Sequence, residues 1–398
     1  MSEWERLKLG DLTKLITKGT TPNKSMGGFV SNGINYIKSE SISYDGRIDS
    51  TKFNFITEET HSLLKRSQLE KDDILFSMAG AYLGKSAIVL DYHLPANTNQ
   101  ALAIIRLNQS KTSSKFINYF FRNPSVIEYV NNLSGQSAQP NINFEEIKSI
   151  EINLPPLSEQ QAIAYVLSSL DDKIDLLHRQ NKTLEAMAET LFRQWFIEEA
   201  NDDWEEILVS DLFEVRDGTH DSPKQSEVGF HLITSKHIHN GQIDFGSAYL
   251  VSSIDYEKIN QRSKVEQFDI LFSMIGTLGL IYIEMNEEVN YAIKNIGIFK
   301  TSQNPKWCYF VYLWLKSSFG NEFIEENKSG STQEYISLGS LREINFKVPN
   351  VEEIDSFNSA VDKQLNKIHA NKKQIQTLEN LRDTLLPKLM SGEIRVQH

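Results

Sequence analysis

The sequence predicts a duplicated fold. We expect two globular domains of the α/β or α+β class, joined by two long helices that form an antiparallel coiled coil, with a pseudo-two-fold internal repeat. Two observations predict this arrangement: sequence motifs return once after about 195 residues, and each copy ends in a segment whose apolar residues follow a heptad spacing. The length of 398 residues is compatible with about two to three domains.

The internal repeat is clearest in a run of six identical residues. Asp73–Met78 reads Asp-Ile-Leu-Phe-Ser-Met, and Asp269–Met274 has the same residues in the same order. The start of each copy also matches, since Trp4 and Trp204 are both followed by Glu. A period of this length is far above that of solenoid repeats. We therefore divide the chain into a first globular domain (1–157), a central helix (158–200), a second globular domain (201–351) and a C-terminal helix (352–398).

Each globular domain combines short apolar strands with few helices. Ile34–Ile37 is an example of a β-branched run between Gly and Asn turns, and Phe116–Leu133 has a helical pattern. After two prolines, Ser158 is followed by Glu and Gln at the spacing of a capping box, which predicts that the central helix begins there. Pro387 predicts the end of the C-terminal helix, because proline disturbs a helix interior.

Both helical segments carry apolar residues at alternating intervals of four and three. Only a coiled-coil seam requires this spacing. The seam residues we assign are Ile163, Leu167, Leu170, Ile174, Leu177, Asn181 and Leu184 in the central helix, and Val361, Ile368, Asn371, Ile375 and Leu378 in the C-terminal helix.

Antiparallel pairing with full overlap places Asn181 opposite Asn371. A buried amide pair fixes the register at some cost in stability, so replacing Asn181 by leucine is expected to stabilise the pair and loosen its alignment. The alternative is two unrelated amphipathic helices, each packed on its own globule.

Composition indicates a globular protein without disulfides. The net charge is −12, with 41 basic and 53 acidic residues, and acidity argues mildly against binding to nucleic acid. By segment the net charge is +1 for 1–157, −4 for 158–200, −9 for 201–351 and zero for 352–398. Cys308 is the sole cysteine and the first thirty residues show no secretory signal, so we expect a reducing, cytoplasmic location.

None of the candidate enzyme motifs in the sequence has the residues or spacing that its chemistry requires. Gly80–Ser86 resembles a phosphate-binding loop but has three residues between its glycines where four are needed, so a turn between strands is preferred. His231, His237 and His239 lack partners at metal-ligand spacing and are interpreted as surface histidines. Cys308 has no general base at a recognisable spacing in the sequence that would activate it as a nucleophile. We therefore predict neither catalytic residues nor a metal site.

The sequence resembles the specificity (S) subunit of type I restriction-modification enzymes. The resemblance is carried by Pro155–Gln161, by Asn181–Phe192 and by the final Leu381–Ile394, and it extends over the duplicated order of globule, helix, globule, helix. The second helix departs from the pattern. Its first segment, Pro349–Ile354, lacks the Pro-Pro-Leu and Glu-Gln-Gln sequences found at the start of the first helix.

The resemblance implies a non-catalytic subunit in which two target-recognition domains each read half of an asymmetric, split sequence in double-stranded DNA. The helices would set the gap between the halves and dock two methyltransferase (M) subunits, with restriction (R) subunits joining for cleavage. The partners would use S-adenosylmethionine, and ATP with Mg²⁺ for restriction, while this chain would bind no cofactor and contact no membrane.

Four polar loop regions recur at matching places in the two domains and are the candidate DNA contacts. Apolar positions agree between the copies while these polar positions differ, as expected for similar scaffolds that read different sequences. The candidates are Lys18, Thr20, Thr21, Lys24, Lys38, Ser39, Asn97, Asn99, Gln100, Gln136, Ser137 and Gln139 in the first domain, and Thr219, His220, Lys224, Ser235, Lys236, Lys294, Asn295, Ser331, Thr332 and Gln333 in the second. Turn formation alone also explains such residue types.

Two other functions stay open at this point. The chain could be a scaffold or antagonist that binds methyltransferase subunits without selective DNA recognition. It could also be an enzyme with an unrecognised site, which would show turnover or cofactor binding on its own.

Overall fold

The computed structural model describes residues 4–80, 83–133, 140–201 and 203–396. They form two compact units. The first comprises Met1–Ile174 and Thr377–His398, and the second comprises Asp175–Gln376. The four-part division by sequence, with boundaries after residues 157, 200 and 351, stays a prediction.

The first unit is built on two small sheets and an antiparallel strand pair. Its strands are β1 (Glu5–Lys8), β2 (Thr13–Lys18), β3 (Ile34–Ile37), β4 (Asn54–Ile56), β5 (Ile74–Ser77), β6 (Ser86–Ile88), β7 (Ala96–Thr98), β8 (Leu102–Leu107) and β9 (Glu151–Leu154). The order β2-β8-β5-β6 is antiparallel throughout, and β3 lies between antiparallel β4 and parallel β7. The pair β1-β9 leads into the central helix.

The helices of the first unit are α1 (Glu58–Leu63), α2 (Ser114–Arg122), α3 (Pro124–Leu133) and α4 (Phe144–Ser149), followed by the long α5 (Leu157–Arg193). Residues of α2 to α5 share one core with the four-stranded sheet. Phe76 of β5 packs on Phe121 of α2 with ring centroids 4.8 Å apart, inside a core that includes Ile163 and Leu167 of α5. The single helix expected over Phe116–Leu133 is divided, because Asn123 is extended before Pro124.

The second unit repeats this plan. Its strands are β10 (Glu205–Leu208), β11 (Val215–Asp217), β12 (Phe230–Ile233), β13 (Ile238–His239), β14 (Gln242–Ile243), β15 (Leu250–Val251), β16 (Ile270–Ser273), β17 (Ile281–Ile283), β18 (Tyr291–Ile293), β19 (Ile296–Phe299) and β20 (Asn345–Val348). The order β11-β19-β16-β17 corresponds to β2-β8-β5-β6, and β15-β12-β18 corresponds to β4-β3-β7. The predicted duplication is confirmed.

The helices of the second unit follow the same sequence order. They are α6 (Val209–Leu212), α7 (Ser253–Ser263), α8 (Cys308–Lys316), α9 (Ser318–Asn327), α10 (Leu338–Arg342) and α11 (Val351–Ser391). Phe272, Phe310 and Phe346 form the centre of the core, which also receives Phe192 of α5 and Phe357 of α11. The connection from β16 to the antiparallel strand β17 contains Gly276 and Gly279.

Segments of α5 and α11 pack antiparallel in each unit. In the first unit, Ile163 and Leu167 share a core with Leu386 and Leu389. In the second unit, the rings of Trp195 and Phe357 lie 5.8 Å apart. The interpretation of α5 and α11 as unrelated amphipathic helices is therefore wrong.

The assigned seam residues are mostly buried in the unit to which they belong. Fully or nearly buried are Ile163, Leu167, Ile174, Leu177, Asn181, Val361, Ile368, Asn371 and Ile375, while Leu170, Leu184 and Leu378 are half-buried. The heptad pattern missed Leu365 and Leu386, which are also buried because each helix packs on its globule as well as on the other helix.

Both predicted helix boundaries need correction. The central helix begins at Leu157, so Ser158 lies inside its first turn and does not cap it. Gln160 instead accepts hydrogen bonds from Thr112 and Ser113 and holds that loop against the helix. The C-terminal helix continues through Pro387 to Ser391, because proline removes a single backbone donor while apolar neighbours on both sides pack in the core.

Within the described ranges, no helix combines the length and apolarity needed to cross a bilayer.

Candidate nucleic-acid interface

Two loops of the first domain meet at one surface. The backbone N–H of Thr20, in the loop after β2, donates to the carbonyl of Thr98 at 2.9 Å, and the Thr21 hydroxyl donates to Oε1 of Gln100 at 2.6 Å. Gly19 permits this approach, because a Cβ at that position would lie 2.1 Å from the Thr98 carbonyl oxygen. We call residues 18–21 with 99–100 the first loop cluster.

The first loop cluster contains five of the predicted DNA contacts. Lys18, Thr21 and Gln100 are exposed, whereas Thr20 and Asn99 are half-buried. Lys24 belongs to a short 3-10 turn (Lys24–Met26), but its side chain lies outside the described part of the structure. The cluster offers hydroxyl, amide and ammonium groups on one surface, as base and phosphate contacts require.

The structure contradicts the prediction that Asn97 contacts DNA. It is fully buried in β7, where its Nδ2 donates to the Leu64 carbonyl at 3.1 Å and to the Ser67 hydroxyl at 2.9 Å. Its side-chain oxygen contacts His61. Asn97 therefore holds the segment before β5 against the sheet and has no free edge for a base.

Of the neighbouring residues Lys38 and Ser39, only Lys38 is placed where it could contact DNA. Ser39 is buried in a 3-10 turn, which contradicts its assignment as a contact residue. Lys38 is half-buried, with its ammonium 4.9 Å from the centre of the Phe29 ring and 3.7 Å from the Glu40 carboxylate. Lys38 stays a candidate for phosphate contact.

The corresponding loops of the second domain also meet. The N–H of Thr219 donates to the Ile293 carbonyl at 3.1 Å, and the N–H of Asn295 donates to the Thr219 carbonyl at 3.2 Å. The His220 ring joins the two loops through hydrogen bonds of 2.8 Å to Asn295 and to Asp217. We call residues 217–222 with 294–295 the second loop cluster.

Lys294 closes the second loop cluster by donating from its ammonium to the Ser222 hydroxyl. His220 is exposed, while Thr219, Lys294 and Asn295 are half-buried. Lys224 is exposed two residues beyond the cluster.

A second group of candidates gathers at the end of β16. Residues 329 and 335 pair through backbone hydrogen bonds of 2.8 and 2.9 Å, which makes a tight loop that exposes Ser331, Thr332 and Gln333. Ser235, half-buried beside exposed Lys236, donates its hydroxyl to the Ile275 carbonyl at 3.2 Å in the same region. The first-domain counterparts Gln136, Ser137 and Gln139 lie outside the described residues.

His237 is buried, which contradicts its interpretation as a surface histidine. Its Nδ1 accepts a hydrogen bond of 2.9 Å from the Thr234 N–H. Burial lowers the pKa of His237, and the charge of Lys236 lowers it further, so the ring is held neutral. Across the described ranges no group of three or more His, Cys, Asp or Glu side chains is placed to hold a metal ion.

Motif analysis missed two arginines that border the loop clusters. The Arg66 guanidinium donates to the Thr20 hydroxyl at 3.2 Å, and the Arg262 guanidinium is ion-paired with Asp217. A signal was present in the sequence, because Arg66-Ser67 and Arg262-Ser263 are each followed by Glu three residues after the serine and stand at the same distance before the repeated strands β5 and β16.

Comparison with known proteins decides the family. The family described as type I restriction modification DNA specificity domain matches residues 1–186 and again residues 201–380, which together exceed half of the chain. The chain belongs to this family. The resemblance seen in the sequence is thereby confirmed.

Two relatives in the family are similar to this chain along nearly their whole length. The type I restriction enzyme MjaIX specificity subunit of Methanocaldococcus jannaschii is 27% identical, over 99% of this chain and 94% of the relative. The EcoKI specificity subunit of Escherichia coli (strain K12) is 25% identical, over 99% of this chain and 90% of the relative.

A solved structure shares the fold. The crystal structure of the type I restriction-modification system S subunit from M. genitalium covers 97% of this chain with 96% of its own, at a TM-score of 0.62 and 19% identity.

Proposed function

We propose that this chain is the DNA specificity subunit of a type I restriction-modification complex, and that each globular domain reads one half of an asymmetric, split DNA target. The observation that carries the proposal is the contrast between the two loop clusters. Both are built on the same strand order, yet Lys18 in the first corresponds to Asp217 in the second. Similar scaffolds with different polar edges are suited to two unlike half-sites.

Charge supports a division of labour between the two domains and their partners. The first domain has a net charge of +1 and the second of −9, so the second provides little general attraction for phosphate. Much of the backbone affinity would therefore come from the methyltransferase subunits. Docking of two M subunits on α5 and α11, and recruitment of R subunits, belong to the same proposal.

The reaction chemistry is assigned to the partners. S-adenosylmethionine would be bound by the M subunits, and ATP with Mg²⁺ would serve restriction, while this chain would bind none of them and act in the cytoplasm. In this chain Cys308 is buried, and burial raises the pKa of its thiol to about 12, which disfavours a role as a thiolate nucleophile.

The test is selection from randomised duplex DNA by the chain in complex with its methyltransferase partner. We expect enrichment of a split motif whose two halves differ in sequence. Exchange of the second globular domain for that of a relative with another target is expected to change one half and leave the other intact. A complex that assembles but enriches no motif would identify the chain as a scaffold or antagonist instead.

A further inference from the structure

Two arginines occupy equivalent places in the two globular domains. Arg66 precedes β5 and Arg262 precedes the repeated strand β16 at the same distance. Each is followed by a buried serine whose hydroxyl donates to a backbone carbonyl three or four residues earlier, at 3.1 Å for Ser67 and 3.2 Å for Ser263. The buried serine holds the backbone in place, so the two arginine side chains extend from equivalent backbone positions in the two domains.

Both guanidinium groups lie against the first loop of their own cluster. Arg66 donates from Nη2 to the Thr20 hydroxyl at 3.2 Å, and Arg262 donates from Nη2 to Asp217. The Arg262 side chain nevertheless keeps 59% of its surface exposed, and Arg66 is exposed as well. Each cluster therefore has an arginine guanidinium at its edge, and the arginine side chain is partly exposed to solvent.

The support for the two arginines differs between the domains. Asp217 is almost fully buried and receives both Arg262 and the His220 ring, the latter at 2.8 Å. A carboxylate in this position cancels the charge of the guanidinium and restricts its orientation. Among the described residues, no carboxylate lies within ion-pair distance of Arg66, which is steadied by a neutral hydroxyl.

An open, polar depression adjoins Arg262. Its lining includes Thr219 and Ser222 from the second loop cluster, and Lys258, Arg262 and Ser263 from α7. The second loop cluster and the arginine thus face the same space. A neutralised arginine adds little to general phosphate attraction, but its remaining N–H donors are available for recognition that depends on geometry.

We propose that Arg66 and Arg262 read base edges at equivalent positions of the two half-sites, and that Asp217 is the positioning residue for Arg262. The inference rests on the proposed function and adds the residues that carry specificity. Arginine donates two parallel hydrogen bonds to O6 and N7 of guanine in the major groove, which lysine cannot reproduce as a rigid fork. We therefore expect a G·C pair at each of the two contacted positions.

The test uses charge-conserving variants in the complex with the methyltransferase partner. R66K and R262K are each compared with wild type by selection on randomised duplex DNA, and by affinity for the selected duplex and its single-base-pair variants. Each variant is expected to lose about tenfold or more of the discrimination at one base pair, in opposite half-sites, with an unchanged salt dependence. D217N is expected to weaken discrimination at the same base pair as R262K.

An exposed arginine outside the loop clusters and outside the two long helices serves as a matched control. R6K changes a side chain that is 72% exposed. It is expected to leave the selected motif unchanged. Thermal unfolding and assembly with the partner are measured for every variant. If D217N has a folding defect, the result for R262K alone tests the role of Arg262.

The outcomes separate the two claims. If the wild-type complex selects a split motif that R66K and R262K both preserve within twofold, the proposed function stands and the inference is overturned. Uniformly weaker binding with unaltered discrimination would also overturn it, because it identifies phosphate contacts. If the wild-type complex selects no motif, the proposed function itself fails.

Discussion

Asn371 donates from Nδ2 to the side-chain oxygen of Asn181 at 2.8 Å, and both amides are buried between the two long helices of the second unit. The pair interrupts an otherwise apolar seam that includes Leu177 and Ile375. The apolar seam residues on either side offer no side-chain acceptor, so the contact favours one alignment of the helices. A slip of one heptad would separate the two amides.

The amide pair predicts different results for single and double substitutions. N181L leaves the Asn371 amide buried without its acceptor and is expected to lower the free energy of unfolding by about 1–3 kcal/mol. This reverses the stabilisation expected from the seam pattern alone. The double variant N181L/N371L is expected to unfold at a higher denaturant concentration than N181L. Exposed Gln374, changed to leucine, is the control.

Loss of register in the double variant is measured separately. Engineered cysteine pairs, one set for the native alignment and one for an alignment shifted by a heptad, are oxidised and quantified. We expect the shifted pair to crosslink in N181L/N371L and not in wild type. Crosslinking confined to the native pair in both proteins would show that apolar packing alone fixes the register.

A buried carboxylate in the first unit is predicted to be a strong stabilising group. Asp171 accepts hydrogen bonds from the Tyr119 hydroxyl at 2.7 Å, from Arg122 at 2.8 Å and, across the helix pair, from Arg382 at 3.0 Å. D171A leaves the largely buried Arg122 without its counter-ion and leaves Arg382 paired with Asp383 alone, and it is expected to cost about 3–5 kcal/mol. D172N, a change at the exposed neighbour, should have little effect on urea unfolding.

The same group predicts a dependence of stability on acid. Burial by itself raises the pKa of Asp171, but hydrogen bonds and charge from Arg122, with Tyr119 and Arg382, outweigh it and lower the pKa. A pKa below the unfolded value means that the stabilisation is complete above the unfolded pKa of about 3.9 and is lost as pH falls through the folded pKa. Unfolding of D171N is therefore expected to depend less on pH below 4 than unfolding of wild type.

The C-terminal residues of the first unit are predicted to stabilise its N-terminal strand. Glu159 is buried, accepts from Arg395 at 2.7 Å and accepts from the Trp4 indole at 3.2 Å. E159Q is expected to increase hydrogen exchange in β1 and to lower stability by about 1–3 kcal/mol. E393Q, at an exposed residue of the same terminal segment, should exchange like wild type; equal protection in both variants would contradict the role of Glu159.

Asn97 and Gln100 provide a matched test of structure against recognition. N97A removes the buried donor that holds Leu64 and Ser67 and is expected to lower the free energy of unfolding by about 1–3 kcal/mol. Q100A removes an exposed amide and is expected to keep wild-type stability but alter DNA selection in one half-site. A motif unchanged by Q100A would remove Gln100 from the candidate contacts.

The amount of general phosphate attraction is also testable. Because the second domain carries a net charge of −9, the isolated chain is expected to bind duplex DNA weakly at physiological salt, and the complex with the methyltransferase partner tightly. Fluorescence anisotropy over a salt series measures both. Tight binding by the isolated chain would contradict this view of the partners.

Much of the architecture was predictable because its signals are local. The heptad spacing marks the helix faces that pack together, and the repeat of Asp73–Met78 marks the duplicated sheet strand. Helix ends were predicted less well. Ser158 is a residue type that often caps a helix, but the helix already begins one residue earlier, at Leu157.

Sequence by itself determined the duplication, the class of the domains and the pairing of Asn181 with Asn371, because periodicity specifies which faces must be buried together. Only the tertiary structure decided which polar loop residues face solvent. Asn97 and Gln100 are three residues apart and chemically alike, yet one is enclosed and the other exposed. Their environments are set by segments distant in sequence, namely residues 61–67 and the loop after β2. The contact of Arg262 with Asp217 likewise joins residues 45 apart.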